Sequence, residues 1–279
     1  MLLLLTGCLL LAPPPENVDR LLDPGVADHV AAGAESACAV FESGGLLCTD
    51  PGLSPPAHAF TMVDADAGWC GLTEDEEIAC FGGFPAPPSG RFVHLALGGD
   101  AGCAIDEDAS AVCWGVDDAR ADTPGYAGYV RVTVGSEAAC ALHSRGSVAC
   151  WGEDGADAVE EAPYTDSRYS GLAMAAGAAC GISESSSEIE CWGDDEGLGL
   201  LDPPSGSFRA ITGGASHFCA LDRAGEAVCW GADSEGQASP LAGNFTQIDA
   251  GRGSTCAVRE NGYVACWGGA EQVSFGIDP

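Results

Sequence analysis

The sequence predicts an all-β protein, a seven-bladed β-propeller with one disulfide-closed hairpin in each blade. Two observations lead to this prediction. Fourteen of the 15 cysteines form seven pairs, with nine residues between the partners in six pairs and ten in the fifth. The first cysteines recur every 32–40 residues, and a β-type repeat of this length indicates a propeller or another closed array. The predicted pairs are Cys38 with Cys48, Cys70 with Cys80, Cys103 with Cys113, Cys140 with Cys150, Cys180 with Cys191, Cys219 with Cys229, and Cys256 with Cys266.

Each cysteine pair is expected to close a β-hairpin. In the sixth copy, folding the chain back places Cys219 opposite Cys229 and leaves residues 223–225 as a three-residue loop. The last residue of such a loop commonly has a positive φ, which glycine adopts at the least steric cost. Glycine holds this place in four copies, as Gly44, Gly146, Gly225 and Gly262.

The fifth copy has one extra residue, and the same scheme accommodates it. Ile182 is placed opposite Ile189, and Ser185 and Ser186 lengthen the loop, so the two cysteines stay opposite each other. Cross-strand Cβ atoms lie about 4.5–5.5 Å apart, close to the about 3.5–4.5 Å of a disulfide. Reduced core cysteines and metal ligands are the alternatives. Two thiolates per hairpin are too few for a four-coordinate metal, so no metal site is expected.

The repeat extends upstream of each hairpin. In the seventh copy Phe245, Ile248 and Gly251 stand eleven, eight and five residues before the first cysteine, and the fourth copy repeats this spacing. Because the repeat runs through the chain, we expect residues 17–279 to form a single propeller domain. Leu21-Leu22-Asp23-Pro24 echoes Leu200-Leu201-Asp202-Pro203, so residues near 17–24 are expected to complete the last blade and close the ring.

The first 16 residues are predicted to be a targeting segment and tether. Residues 1–11 are almost wholly apolar, and Leu5-Thr6-Gly7-Cys8 resembles a bacterial lipobox, in which the cysteine is lipidated after cleavage. The segment lacks a basic beginning and is too short to span a bilayer as a helix. Paired cysteines at this density indicate an oxidising compartment. We therefore expect an extracytoplasmic protein, anchored to the cell envelope through Cys8 or secreted, with a cytoplasmic location as the third alternative.

The chain is strongly acidic, with a net charge of −32 and no lysine. Nucleic acid is not expected as a partner, because phosphate binding needs a basic face. The acidity either serves solubility or forms a face for cations or a basic partner.

The linkers between hairpins carry two recurring features. Five copies end in Cys-Trp-Gly, and these tryptophans are expected to pack between blades rather than form a ligand cage. An aspartate three residues after the tryptophan suits a turn in which the side chain bonds the backbone. These aspartates are Asp117, Asp154, Asp195 and Asp233. The longest linker, Glu153–Arg168, is expected to be a solvated acidic loop.

The sixth repeat resembles the repeat of the regulator of chromosome condensation family. The resemblance rests on residues 214–221, on Gly225 and Val228, and on Trp230-Gly231-Ala232-Asp233 with Gly236-Gln237. His217 matches the family's histidine, whereas an aspartate replaces the usual asparagine at 233. The resemblance implies a seven-bladed propeller, here of the compact bacterial, disulfide-containing type. It also implies protein binding on one propeller face, without naming the partner, and the nucleotide-exchange residues have no matching position.

No enzyme motif stands out, and no catalytic, cofactor or metal residue is predicted. His29 and His94 share a repeat position beside an aliphatic residue that should face inward, so both are expected to face outward. We expect a monomeric, non-enzymatic propeller that binds an unknown protein partner. A carbohydrate-binding or carbohydrate-hydrolysing surface protein is one alternative, and a regulator resembling a guanine-nucleotide exchange factor is another.

Overall fold

The computed structural model describes residues 26–269, except 35, 116–118, 154–155 and 164–166, together with the backbone of 274–275. Seven antiparallel sheets follow one another along the chain, and each takes its first three strands from one continuous segment. The first strand of each sheet contacts the first strand of the next, and the last sheet contacts the first. With a disulfide in every sheet, this arrangement confirms the predicted seven-bladed propeller.

Each blade has three strands in sequence order, and blade 7 has a fourth. Blades 1 to 4 consist of β1 (Ala27–Ala32), β2 (Ala37–Phe41) and β3 (Leu46–Cys48); β4 (Phe60–Ala65), β5 (Trp69–Thr73) and β6 (Ile78–Phe81); β7 (Phe92–Gly98), β8 (Ala101–Asp106) and β9 (Ala111–Trp114); β10 (Tyr129–Val134), β11 (Ala138–His143) and β12 (Val148–Gly152). Blades 5 to 7 consist of β13 (Tyr169–Ala175), β14 (Ala178–Ser183) and β15 (Ile189–Gly193); β16 (Phe208–Gly213), β17 (His217–Asp222) and β18 (Ala227–Gly231); β19 (Phe245–Ala250), β20 (Ser254–Arg259), β21 (Val264–Gly268) and β22 (Ser274–Phe275).

The second and third strands of each blade form the predicted hairpin. In blade 6 the two cysteines lie opposite each other, and in blade 5 Ile182 lies opposite Ile189 as the longer loop requires. All seven predicted pairs form disulfides, with Cα–Cα distances of 4.0–4.1 Å. In chain order the bridges join Cys38 to Cys48, Cys70 to Cys80, Cys103 to Cys113, Cys140 to Cys150, Cys180 to Cys191, Cys219 to Cys229, and Cys256 to Cys266.

Each bridge therefore ties the middle strand to the outer strand of its own blade. None of the seven joins one blade to another, so the contacts that close the ring are made by other groups. Seven disulfides indicate an oxidising, extracytoplasmic environment.

The hairpin tips hold neighbouring blades together. The last loop residue has a positive φ in every blade, including the non-glycine residues Glu76, Ala109 and Ser187. The carbonyl oxygen of that residue accepts a hydrogen bond from the first residue of the next blade, as in the 2.8 Å bond from Phe245 N to Gly225 O. The seventh bond runs from Ala27 N to Gly262 O at 3.3 Å and closes the ring. One tip geometry thus serves both the turn and the blade contact.

The two ends of the propeller are built differently. We call the end formed by the hairpin tips the hairpin end, and the end formed by the turns between first and second strands the turn end. At the turn end the backbones of adjacent blades touch. A Cβ atom on Gly214 would lie 2.0 Å from Gly251 O, and one on Gly251 would lie 2.2 Å from Ala32 O. Glycine is required there because any side chain would collide with the neighbouring blade.

The tryptophans pack between blades, as their repeat position predicts. The indole N–H of Trp230 donates to Leu200 O at 2.9 Å, and that of Trp267 donates to Gln237 O at 3.0 Å. Trp151 and Trp192 bond the preceding linker in the same way. Each of these indoles therefore anchors the linker that arrives from the previous blade.

The linkers contain the little helix that the described chain has, a 3-10 turn at Ala119–Ala121 and an α-helical turn α1 (Asp157–Glu160). The second of these corrects the expectation of a solvated loop at 153–168. Ala158 within the turn is buried, and its carbonyl accepts the Trp192 indole N–H at 3.2 Å. The described part of this linker is therefore acidic outside and packed inside.

The last blade is completed on its outer side by β22, which pairs antiparallel with β21. The segment 17–24, which was expected to complete this blade, lies outside the described residues. So does Cys8. The predicted division into residues 1–16 and 17–279 stays a prediction.

Candidate functional site

The first strands of the seven blades surround a central channel with a cavity of about 170 Å³. The same repeat positions line it in successive blades, because each first strand runs from the hairpin end to the turn end. Near the hairpin end the lining consists of His29, Met62, His94, Arg131 and Gln247. The middle of the channel is lined by polar and small side chains two positions further along each strand.

Four polar side chains in the middle of the channel join adjacent blades. We call Asp64, Thr133, Thr212 and Asp249 the acceptor ring. Each accepts a hydrogen bond from a backbone N–H of the next blade, at Leu97 (2.8 Å), Met174 (3.1 Å), Ala250 (3.2 Å) and Ala32 (2.8 Å) respectively. The inner edge of a first strand has no sheet partner, so its N–H groups need other acceptors. The acceptor ring supplies four of them.

The two carboxyl groups of the acceptor ring affect each other's protonation. Enclosure in the channel raises the pKa of Asp249 to about 6. Enclosure raises the pKa of Asp64 well above its usual range, and the nearby charge of Asp249 raises it further. The Thr212 hydroxyl also donates to Asp249 at 3.2 Å. The carboxyl oxygens of Asp64 and Asp249 therefore help to hold the ring closed. Ionising both carboxyl groups in this enclosed position is energetically unfavourable.

His29 and His94 line the channel, and the prediction that they face outward is wrong. Enclosure, and then the charge of Arg131, lowers the pKa of His29 to about 4 and that of His94 to about 3. The prediction failed because it treated the side opposite the aliphatic residue as solvent. In the innermost strand of a propeller that side faces the channel.

A β-bulge near the start of every first strand aims one residue out of the hairpin end. The register shifts directly after the first residue, as between Phe92 and His94 and between Tyr129 and Arg131. A bulge redirects the side chain of the extra residue. All seven bulge residues are exposed: Asp28, Thr61, Val93, Val130, Ser170, Arg209 and Thr246. Sequence reasoning missed this ring, although each member directly follows the small or aromatic residue that begins the blade.

The hairpin end carries most of the exposed large apolar side chains of the described chain. Five large apolar side chains are exposed, and all except Leu47 lie at this end. Val93 is 53% exposed and Val130 is 45% exposed, and they are the bulge residues of neighbouring blades 3 and 4. Tyr126, 72% exposed, lies beside the tip of blade 3, where Ala127 bridges to Ser110. Val26, directly before β1, is the fourth exposed large apolar residue at this end.

Arginine follows the same distribution. Six of the seven exposed arginines of the described chain lie at the hairpin end: Arg91, Arg131, Arg145, Arg168, Arg209 and Arg223. The turn end has Arg252, which bonds Asp66 at 3.3 Å. Its other exposed charges are mostly carboxylates: Asp50, Asp100, Glu137, Asp194, Glu196, Asp233 and Glu235. The two ends therefore differ in apolar content and in charge.

The described residues among the others that the sequence singled out have structural roles. His217 is fully buried, bonds the Thr255 hydroxyl at 2.7 Å, and burial lowers its pKa to about 4. Asp195 accepts the backbone N–H of Leu201, and Asp233 accepts that of Ala238, so both stabilise linker turns. Asp117 and Asp154 lie outside the described residues.

The described residues contain neither a metal-binding cluster nor a membrane-spanning helix. No group of three or more His, Cys, Asp or Glu side chains in the described chain is placed to hold a metal ion. Within the same residues, no helix has the length and apolar character needed to cross a membrane.

The fold and its two unlike ends define a disulfide-stapled β-propeller. Residues 208–237 and 245–271, in blades 6 and 7, match the model of the Regulator of chromosome condensation (RCC1) repeat. Blades 6 and 7 therefore match this repeat, as the resemblance of the sixth copy predicted. No curated protein sequence matches the chain.

Solved structures of low sequence identity share the fold. The CRINKLY WD40 ectodomain of the Arabidopsis thaliana receptor kinase ACR4 is 23% identical, with a TM-score of 0.71, over 88% of this chain and 96% of that one. The ectodomain of the Physcomitrella patens receptor kinase CR4 is 21% identical, with a TM-score of 0.73, over 88% and 74%. Human WBSCR16 is 12% identical, with a TM-score of 0.63, over 82% and 86%. These likenesses establish the fold alone.

Proposed function

We propose that the chain is a non-enzymatic, exported or surface-anchored propeller that binds a protein partner through its hairpin end. One observation carries the proposal. Four of the five exposed large apolar side chains and six of the seven exposed arginines of the described chain lie at that end. Aromatic residues and arginine are enriched in protein interfaces, whereas aspartate and glutamate are depleted. The hairpin end therefore concentrates the apolar and arginine side chains that interfaces favour, on a surface that also exposes carboxylates, and the turn end has few such side chains.

The chemistry of the channel supports a binding role over a catalytic one. The carboxylates of Asp64 and Asp249 accept hydrogen bonds from backbone groups that the blades must satisfy. The lowered pKa values of His29 and His94 keep these imidazoles neutral at neutral pH. The channel groups thus have a structural task in the ring, and the open surface lies outside the channel mouth.

Export is the second part of the proposal. The seven disulfides need an oxidising compartment, and the lipobox-like run ending at Cys8 provides a means of anchoring. The intact mass of native protein, before and after reduction, tests this part. We expect a gain of fourteen hydrogens on reduction and, for an anchored protein, the mass of a lipid on the chain. Free thiols at the fourteen paired cysteines in freshly isolated protein would contradict export.

The binding surface is tested by paired substitutions. The oxidised protein is used to capture partners from envelope and secreted fractions, and each captured partner is then measured with purified variants. We expect Val93→Asp combined with Val130→Asp to weaken binding by at least about tenfold, because it places charge in the apolar centre of the surface. Leu47→Asp is the control, since Leu47 is similarly exposed but lies on an outer strand. Equal loss in both variants, or in neither, would refute the assignment of the hairpin end.

A further inference from the structure

The arginines of the hairpin end are concentrated on one half of it. Six of them lie on blades 4 to 7, and the five that do not line the channel form what we call the arginine arc: Arg145, Arg168, Arg209, Arg223 and Arg259. Blades 1 to 3 contribute Arg91 to this end, together with many exposed carboxylates: Asp28, Glu42, Glu74, Asp75, Glu77, Glu107 and Asp108. The two halves of the same surface therefore carry different charges.

Contacts between neighbouring blades make the arc continuous. Arg168, at the entry to blade 5, donates to the carbonyl oxygen of Arg145 at the tip of blade 4. Arg223, at the tip of blade 6, donates to the Ser187 hydroxyl of blade 5 at 2.9 Å. The acceptors are a neutral carbonyl and a neutral hydroxyl, so both guanidinium groups are held in place without being neutralised.

The last two members of the arc meet around Phe245. Arg209 donates to the carbonyl oxygens of Phe245 and Thr246. Arg259 lies 5.0 Å from the centre of the Phe245 ring and donates to Ala242 O at 3.1 Å. Again the partners are neutral. A guanidinium has five N–H donors, so each of these groups keeps donors free for an incoming ligand.

The absence of ion pairs in the arc is unusual for so acidic a chain. Glu184, Glu188, Glu226 and Glu260 are exposed on the same blades, yet no salt bridge between described residues joins a carboxylate to an arc arginine. Arg91, on the other half, is paired with Glu76 at 2.7 Å. Among the described residues, the guanidinium groups of the arc therefore make no ion pair, and all of them except Arg145 are held in place by neutral partners.

We infer that the arginine arc recognises a protein segment in which aspartate or glutamate side chains flank an apolar or aromatic residue. The inference rests on the proposed function and deepens it. Arginine binds carboxylates in a bidentate geometry, and an arginine already held in place loses less side-chain entropy on binding. Val130 and Tyr126 lie at the blade 4 end of the arc and provide the apolar contact.

The charge of the whole molecule selects this ligand over a polyanion. The net charge is −32, and the acidic half of the hairpin end adjoins the arc. A uniformly charged polymer that reached the arc would also meet those carboxylates. A folded protein segment places its carboxylates locally, and screening limits the wider repulsion to about 8 Å at physiological ionic strength.

The test uses three synthetic peptides of equal length, each with a central Phe-Tyr pair flanked by glutamate, by serine or by lysine. Binding to the full, oxidised chain is measured by fluorescence anisotropy at physiological ionic strength. We expect the glutamate peptide to bind at least about tenfold more tightly than the serine peptide. Combining Arg168→Gln, Arg209→Gln and Arg223→Gln should remove that preference. Arg91→Gln, on the acidic half, should preserve it.

One further variant and one further ligand complete the test. Arg145→Gln removes a guanidinium that makes no hydrogen bond to a described residue, so it should weaken binding severalfold with an unchanged melting temperature. Dextran sulfate is the polyanion control. Equal affinity for the glutamate and serine peptides, insensitivity to the triple substitution, or tighter arc-dependent binding of dextran sulfate would overturn the inference. If the serine or lysine peptide binds and Val93→Asp with Val130→Asp abolishes that binding, the proposed function stands while the arc inference falls.

Discussion

The two ends of this propeller are made by the same repeat, yet they serve different purposes. At the turn end, glycines let the backbones of neighbouring blades touch, and the exposed charges are mostly carboxylates. At the hairpin end, a bulge in each first strand aims a residue outward, and apolar side chains and arginines gather. The comparison shows that one end of the blade is constrained by packing, which leaves the other end free to vary.

Adding a methyl group at the turn end should produce the largest effect. We expect Gly214→Ala to lower the free energy of unfolding by about 3 kcal/mol, because its Cβ would lie 2.0 Å from Gly251 O and the two backbones would have to separate. Denaturant unfolding measures the change. Gly125→Ala is the control, since a Cβ there would meet nothing within 4 Å. A neutral Gly214→Ala would show that the turn end is not tightly packed.

Removing one staple should loosen the hairpin end more than the turn end. Replacing both Cys219 and Cys229 with alanine should cost about 2–3 kcal/mol, since the bridge closes a short loop in the unfolded chain. Hydrogen exchange should rise more at the tip, residues 223–226, than at the turn, residues 214–217, because the bridge from Cys219 to Cys229 encloses the tip and not the turn. Equal increases at the two ends would contradict the comparison.

Titration of Asp249 in the central channel should make the stability of the fold depend on pH. In the folded chain the pKa of Asp249 is raised to about 6, above the about 3.9 of an unfolded aspartate. The folded chain thus holds more protons in this window, so this group's stabilising contribution is lost as pH rises from about 4 to about 6. Asp249→Asn should therefore gain stability relative to the parent, by about 2 kcal/mol between pH 4 and pH 7.

Two controls support the reading of that experiment. His29, His94 and His217 have lowered pKa values, so they favour unfolding as pH falls below about 6.5 in parent and variant alike. Asp195→Asn should show the opposite trend to Asp249→Asn, because backbone N–H groups lower the pKa of Asp195. If both aspartate variants followed the same trend in thermal unfolding across pH, the assignment to the channel would fail.

The smallest effect is expected at a hairpin tip. Ala109 has φ +60°, a conformation that costs a residue with a Cβ about 1 kcal/mol. Ala109→Gly should therefore stabilise the chain by about 0.5–1 kcal/mol, and Gly146→Ala, at the same place in blade 4, should destabilise it by a similar amount. Thermal unfolding of the two variants checks the pair. Destabilisation by Ala109→Gly would mean that the tip does not need a left-handed residue.

Much of the blade could be predicted from sequence. The spacing of Cys180 and Cys191, with its one extra residue, was enough to place Ile182 opposite Ile189, because hairpin register depends on residues close in the chain. The tryptophans were expected between blades for their size and recurrence, and Trp230 lies there. These features depend on contacts within a blade or with its immediate neighbour.

The site was less predictable. The outward direction of Val93 and Val130 depends on a bulge that no turn residue marks, and their position beside each other depends on neighbouring blades. The inward position of His94 depends on the channel, which exists only when seven first strands surround it. The alternation of side chains along a strand defines its two faces, but it does not show which face is exposed to solvent.

The sequence by itself determined the seven stapled hairpins, their register and the repeat that makes a ring, because each follows from spacing within about forty residues. Only the tertiary structure decided how the ring closes, from Gly262 and Asp249 to Ala27 and Ala32, and which end presents the open surface. The reason is physical. Contacts between distant blades and the exposure of a strand's two sides are properties of the assembled ring, and no local pattern of residues contains them.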